Sequence, residues 1–439
     1  MMKKNKVRLL ALLTLSCLIL PCLALGGCDN GEGPQNESET TTATPEDEMN
    51  TTEAPEETTT EEIVIEKSDF EIYQSNSITP SSCNYALKST DGKPIQNTFR
   101  GVYKIQEFGE LEYKFYFSNN VDSTFSNGSH SYRDMPTESF KIISATVGTS
   151  SKPMGMGAIN QPKALTFDGK AEREVGAREM FWSDAVSLNV PDGHYLVFEW
   201  TVEYTVIAAT NSENVACYLY DYSSGKMMLA QSAPMPALIG AKRENALRVA
   251  FIGDSITMGI GAGTRNHRGW AAQITELAGT DISFWNLGLG YARADDAANS
   301  PGWLEKAKNN DVIVICFGVN DINSGPYKYS GQRSADQITA DINTIATTCK
   351  EAGCEVIIFS TPPYTYSSDA KVSVWSELTG KLKALAETNG YDFFDFAAVL
   401  GSPSDPSKPA YGGHPNETGC KVIAEAFMAS GLLEKHLNK

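Results

Sequence analysis

Residues 110–117 alternate strictly, Glu-Leu-Glu-Tyr-Lys-Phe-Tyr-Phe, and residues 194–206 are dense in aromatic and β-branched side chains. A period of two sends one set of side chains to a core and the other to solvent, which is the pattern of a half-buried strand. Asp91-Gly92, Asn127-Gly128, Asp168-Gly169 and Asp192-Gly193 punctuate this stretch with turn pairs. No helical period interrupts it, so residues 66–240 are expected to form an all-β sandwich of jelly-roll type. From residue 245 the rhythm changes. Apolar runs at 247–252, 282–287, 312–317, 356–360 and 393–396 alternate with helical patterns at 269–277, 335–352 and 374–388, and a helix at 417–433 closes the chain. Uninterrupted apolar strands between helices predict a parallel sheet covered on both faces over residues 245–439. Such sheets gather functional groups at the carboxyl ends of their strands.

The amino terminus follows a third pattern. Lys3, Lys4, Lys6 and Arg8 precede an apolar run over 9–25, followed by Gly26-Gly27-Cys28. A basic end, a short apolar stretch and small residues describe a secretory signal over residues 1–27. Pro21 and the polar sequence beyond make the run a poor spanning helix. Leu25-Gly26-Gly27-Cys28 resembles a bacterial lipobox, which implies lipidation of Cys28 and anchoring at the extracellular face of a bacterial membrane. The alternative is plain secretion, with Cys28 an ordinary thiol. Residues 28–65 then supply Thr, Glu and Pro with little apolar content, and twelve carboxylates fall between Asp29 and Glu62 without one Lys or Arg. Such a segment cannot bury enough surface to offset its ordering entropy and reads as a disordered, self-repelling tether.

Composition narrows the function classes. The 439 residues, 41% of them hydrophobic, suffice for more than one core. The net charge of −18 makes nucleic acid an unfavourable partner, although the tether carries most of that charge. None of the nine cysteines stands in a CxxC pair or at zinc-ligand spacing from a histidine, so no metal and no cofactor is expected. Cys349 and Cys354 are close enough in sequence for a disulfide, whereas Cys316, inside an apolar strand, reads as a buried thiol.

The candidate chemistry stands at strand ends. Gly253-Asp254-Ser255 follows the first apolar strand, where a serine presents its hydroxyl and a free amide suited to an oxyanion; a serine N-cap would look the same. Gly318-Val319-Asn320-Asp321 closes the third strand, with Asn320 either an oxyanion donor or the head of an Asx-turn. Of five histidines, only His414 stands beside a proline just before the final helix.

Together these segments resemble the blocks of the SGNH, or GDSL, hydrolase superfamily over about residues 245–433. The resemblance implies a flavodoxin-like three-layer α/β domain with a five-stranded parallel sheet. It further implies Ser255 as nucleophile, His414 as base, and Asn320 with a second-block glycine as oxyanion donors beside the Ser255 amide. Two departures stand out. The second block usually reads Asn-x-Gly-x-Ser-Gly but here runs Asn286-Leu287-Gly288-Leu289-Gly290-Tyr291. Gly290 is the candidate donor, with Gly288 and the Tyr291 amide as alternatives. Where the family carries Asp three residues before its histidine, this chain has Tyr411. Tyr411, Asp405 or a backbone carbonyl is then left to orient His414. The layout is similar to that of two-domain carbohydrate acetylesterases with an N-terminal β-domain, some of which use a Ser–His dyad. Ser183-Asp184-Ala185-Val186 more loosely resembles a segment of secreted GDSL proteins.

The expectation is a lipid-anchored serine esterase acting on acylated polysaccharide, with lipid or aryl esters as second choices. A surface carbohydrate-binding protein with a decayed site is the competing reading. Trp182, Trp200 and Trp270 are candidates to stack on sugar rings, against the alternative that they pack in the core.

Overall fold

The computed structural model describes residues 68–78, 85–124, 132–135, 137–211, 215–222, 224–243, 246–323, 332–401 and 413–437. Cys28, Asp405 and Tyr411 therefore lie outside the described residues.

The N-terminal half is built from antiparallel strands. Gly109–Ser118 pairs with Leu238–Lys242, Met180–Trp182 and Val186–Val190 in one sheet. Ile95–Tyr103, Tyr195–Tyr204 and Phe140–Ser150 form the middle of another. The alternation of 110–117 has its expected result: Tyr113, Phe115 and Phe117 are buried against Phe99, Phe198 and Trp200 of the facing sheet. Trp200 donates its indole N–H to the Pro234 carbonyl, 2.9 Å away, which satisfies the one polar group of a buried ring.

The C-terminal half carries five strands, β1 Leu247–Gly253, β2 Ile282–Asn286, β3 Val312–Cys316, β4 Glu355–Phe359 and β5 Asp392–Phe394. They lie in the order β2-β1-β3-β4-β5, and every pairing is parallel. Successive residues of β1 serve opposite faces. Val249 and Phe251 join Trp270, Ile274, Ile423 and Phe427 on one side; Ala250 and Ile252 join Trp303, Ile338, Ile342 and Leu382 on the other. That double burial is why these strands read as continuous apolar runs.

The helices are α1 Ser255–Met258, α2 Trp270–Ala278, α3 Ala294–Ala298, α4 Pro301–Lys308, α5 Val319–Asn323, α6 Ala335–Glu351, α7 Asp369–Asn389, α8 Phe396–Leu400 and α9 Glu417–Ala429. Helix α7 begins before the expected 374 because the Ser368 hydroxyl caps the Lys371 amide. Helices α3, α4, α5 and α8 are too short to show a period in sequence.

The two halves share one core. Tyr116, Ala237 and Leu238 of the β half pack with Ile252 and Trp285 of the α/β half. Polar links cross the same seam. Trp285 donates to the Ala237 carbonyl at 2.8 Å, Arg243 to the Thr280 carbonyl at 2.6 Å, and Gln106 to the Ile282 carbonyl at 2.8 Å. Lys306 of α4 pairs with Asp122, and both side chains are fully buried. The described residues between 68 and 437 thus form a single compact unit.

Candidate active site

Ser255 and His414 are separated by 159 positions in sequence, and the fold brings the Ser255 hydroxyl to 2.8 Å from His414 Nε2. Each is placed by local backbone requirements. Asp254 is the N-cap of α1, its carboxylate accepting from the Ile256 amide at 2.9 Å. Ser255 is therefore the first helical residue rather than the cap, and its amide has no hydrogen-bond acceptor among the described residues. At Gly253 an added Cβ would lie 2.1 Å from the Thr257 hydroxyl and 2.5 Å from the Cys316 carbonyl, so no side chain fits where β1 enters the turn. His414 approaches across Gly261, whose φ is +98° and whose added Cβ would meet the His414 Cβ at 2.5 Å. Asn416 caps α9 by accepting from the Gly419 amide at 2.9 Å, which fixes the chain just beyond the histidine.

Asn320 is the second residue of α5, directly beyond β3. Its Nδ2 donates to the Ala292 carbonyl at 2.9 Å and stands 3.5 Å from the Asp254 carboxylate. The first contact is a good hydrogen bond and orients the amide; the second is long for one, leaving the other N–H available to an incoming oxyanion. In the second-block loop, the Gly288 amide is taken by Asn286 Oδ1 at 2.9 Å and the Leu289 amide by the Gly253 carbonyl at 3.0 Å. Gly288 also lies against the backbone of α1, where an added Cβ would be 2.4 Å from the Met258 nitrogen. The Gly290 amide has no acceptor among the described residues, which separates it from Gly288 as a donor.

Asp321, beside Asn320, is fully buried. It accepts from the Ala294 amide at 3.1 Å and pairs with Arg333 at 3.4 Å. Arg333 also meets Asp295 and Asp341 at 3.1 and 2.5 Å. Asn320 and Asp321 thus lock the second-block loop to the third at two successive points. Residue typing alone did not single out Arg333 or Asp295, because surface-type charges give no periodic signal; a cluster of acids around one arginine exists only in space.

The electrostatics follow from burial. Desolvation lowers the His414 pKa, which keeps the imidazole neutral and able to accept a proton. Burial likewise pushes Asp254 and Asp321 each up to about 7, against backbone N–H bonds that oppose the shift. Among the described residues no carboxylate stands against the His414 ring. Among those residues there is also no group of three or more His, Cys, Asp or Glu side chains arranged to hold a metal ion. Cys217, Cys316, Cys349, Cys354 and Cys420 are free and buried; Cys349 and Cys354, whose spacing allows a disulfide, stand as two thiols. Trp200 and Trp270 are core residues, and Trp182 packs among Phe70, Tyr73 and Tyr116, so the tryptophans flagged for sugar stacking are occupied. In Ser183-Asp184-Ala185-Val186, Asp184 accepts from the Thr166 hydroxyl and from the Asp168 and Gly169 amides at 2.6, 3.1 and 2.8 Å. That segment closes a turn.

A serine hydroxyl on a neutral imidazole, at the carboxyl edge of a parallel sheet and beside aimed N–H donors, defines a serine-hydrolase layout. Residues 251–422 match the GDSL-like lipase/acylhydrolase family. Over those residues the α/β half of this chain is similar to the GDSL-type hydrolases. An acetylxylan esterase of Xylanibacter ruminicola is 27% identical over 215 residues, covering 44% of this chain and 44% of that protein. This chain thus spans under half the length of that relative. Among solved structures, a member of the lipolytic G-D-S-L family from Veillonella parvula is 22% identical with a TM-score of 0.35, covering 42% of this chain and 97% of its own. A catalytic mutant of Axe2, an acetylxylan esterase from Geobacillus stearothermophilus, is 22% identical with a TM-score of 0.37, covering 43% and 95%.

Proposed function

We propose that this protein is an extracellular serine esterase that removes O-acetyl or other short acyl groups from polysaccharide. The observation that carries this reading is the 2.8 Å contact between the Ser255 hydroxyl and His414 Nε2. His414 takes the hydroxyl proton as Ser255 Oγ attacks the ester carbonyl, forming a tetrahedral intermediate. The Ser255 amide, the Gly290 amide and Asn320 Nδ2 hold its oxyanion. The imidazolium returns the proton to the departing sugar alcohol, leaving an acyl-serine. His414 then activates water, whose attack releases the carboxylic acid and restores the serine. The acetylxylan esterase relative supports acetyl as the first acyl group to try. Tyr411 or Asp405 would orient His414 from the segment preceding it. Cys28 would carry the lipid that holds the enzyme at the membrane.

The test is acetate release from acetylated xylan by wild type, Ser255→Ala and Tyr411→Phe. Release by wild type and none by Ser255→Ala is expected, and a slower Tyr411→Phe would assign the orienting group. Wild type inactive on acetylated glycans and on simple acetate esters would overturn the reading. Metabolic labelling with palmitate, lost in Cys28→Ala, tests the anchor.

A further inference from the structure

We propose that Arg333 is a positioning residue for the oxyanion site: it clamps the second-block loop to the segment beyond β3 and so fixes the direction in which Asn320 donates. This rests on the serine-esterase reading and adds to it the residue that keeps the donor in register.

The pieces of chain around the oxyanion site are short. Asn320 belongs to α5 and the Ala292 carbonyl that orients it lies just before α3, and each helix has five residues. Helices of that length do not hold themselves in place without tertiary contacts. Three links join the two segments. The Asn320 side chain donates to the Ala292 carbonyl at 2.9 Å, and the Ala294 amide donates to the Asp321 carboxylate at 3.1 Å. The third is Arg333, whose Nη1 lies 3.1 Å from Asp295 and 3.4 Å from Asp321. One guanidinium nitrogen therefore spans the gap, meeting residue 295 on one side and residue 321 on the other.

Arg333 is itself held from two directions. Its backbone amide donates to the Asp321 carbonyl at 3.2 Å, and its Nη2 meets Asp341 of α6 at 2.5 Å. Helix α6 is 17 residues long and sends Ile338, Ile342 and Ile345 into the core. The arginine thus passes the rigidity of a long, packed helix to two short ones. A planar guanidinium can meet three carboxylates in fixed directions, which a single ammonium cannot. Arg293 makes the contrast clear. It also meets Asp295, at 3.2 Å, but from two residues away on the same loop, so that contact ties the loop only to itself.

The link to catalysis runs through adjacent residues. Asp321 is fully buried. Desolvation pushes its pKa up to about 7, and the Ala294 amide and the Arg333 charge both oppose the rise. Without the guanidinium the carboxylate loses its counter-charge and one of its ties to the second-block loop. Asn320, one residue back, then loses its fixed direction. An oxyanion donor acts on charge that develops in the transition state, so misdirecting it lowers turnover and leaves substrate binding nearly untouched.

The experiment measures hydrolysis of 4-nitrophenyl acetate by the full chain as wild type, Arg333→Gln, Arg333→Lys, Asn320→Ala and the Arg333→Gln/Asn320→Ala double variant, with Ser255→Ala as the blank. Arg333→Gln should lower kcat about tenfold with KM within about twofold, and Arg333→Lys should fall between it and wild type. In the Asn320→Ala background the same Arg333→Gln change should cost less than about threefold, because the donor it positions is already gone. Thermal melts establish that each variant is folded at the assay temperature. An unchanged kcat in Arg333→Gln, an equal loss in both backgrounds, or a loss confined to KM would overturn the proposal. If Arg333→Gln is unfolded, Arg333→Lys carries the same cycle; if both are unfolded, the arginine is a structural residue and the proposal fails. A wild type no faster than Ser255→Ala would remove the esterase reading itself. Wild-type turnover that survives Arg333→Gln intact would remove only the clamp.

Discussion

Asp184 in the β half and Asp254 in the α/β half are both aspartates at turns, and their surroundings differ in a way that separates scaffold from site. Asp184 accepts from one hydroxyl and two amides at the rim of the sandwich, and the Thr166 hydroxyl bond chiefly holds its pKa below the ordinary value. Asp254 lies fully inside the protein beside the serine, where desolvation outweighs the amide bonds it accepts and raises its pKa to about 7. Asp321 repeats the second pattern, and His414 is desolvated in the same layer. In the α/β half, Asp254 and Asp321 thus stand just beyond β1 and β3, and burial shifts both of them and His414 away from their ordinary values. In the β half, Asp184 closes a turn, and Asp122 pairs with Lys306 across the seam between the halves. Perturbed groups clustered on one edge of a sheet mark a functional site, and a well-partnered carboxylate does not.

The sharpest way to break this contrast is to remove the reactive pair. Ser255→Ala should lower kcat by 10³-fold or more against a short acyl ester, with the melting temperature unchanged. Asn320→Ala should cost about 10²–10³-fold in kcat, as for loss of one oxyanion donor; an equal loss confined to KM would contradict that role. At the seam, Lys306→Met leaves Asp122 buried without its cation and should destabilise the fold by about 3–5 kcal/mol in urea unfolding. Adding Asp122→Leu should recover much of that loss.

Two smaller effects sharpen the comparison. Because burial depresses the His414 pKa, the acid limb of kcat/KM should fall at a pH below the ordinary histidine value of about 6.5. A raised carboxylate pKa has the opposite consequence for stability. Between about 4 and 7 the folded protein holds protons on Asp254 that the unfolded chain has released, so this group's contribution declines as pH rises. Asp254→Asn should therefore flatten the fall in melting temperature between pH 5 and 8. By contrast Asp184→Ala should cost about 1 kcal/mol of stability and leave kcat in place.

Much of the architecture was legible because burial on both faces writes an uninterrupted apolar run. Strands β1 to β4 announced themselves that way, whereas β5 is only partly buried; Tyr113, Phe115 and Phe117 did so through alternation. The short helices α3, α4, α5 and α8 stayed silent, since five to eight residues hold about two turns at most and no readable period. Gly261 was equally silent. Its need to be glycine comes from His414, over a hundred and fifty residues away. The tryptophans were legible as large apolar groups but not as buried or exposed, which is a property of what packs on them.

The sequence by itself determined which segments are strands, which residue types end them, and which reactive groups the chain owns, because local pattern and turn chemistry act over a few residues. Tertiary structure decided the rest. It brought Ser255 to His414, turned the Asn320 amide by way of the Ala292 carbonyl, spent the Gly288 amide on Asn286 and left Gly290 unpaired among the described residues. Hydrogen bonds and desolvation are set by distances between remote parts of the chain, and those distances exist only once the sheet has closed around its core.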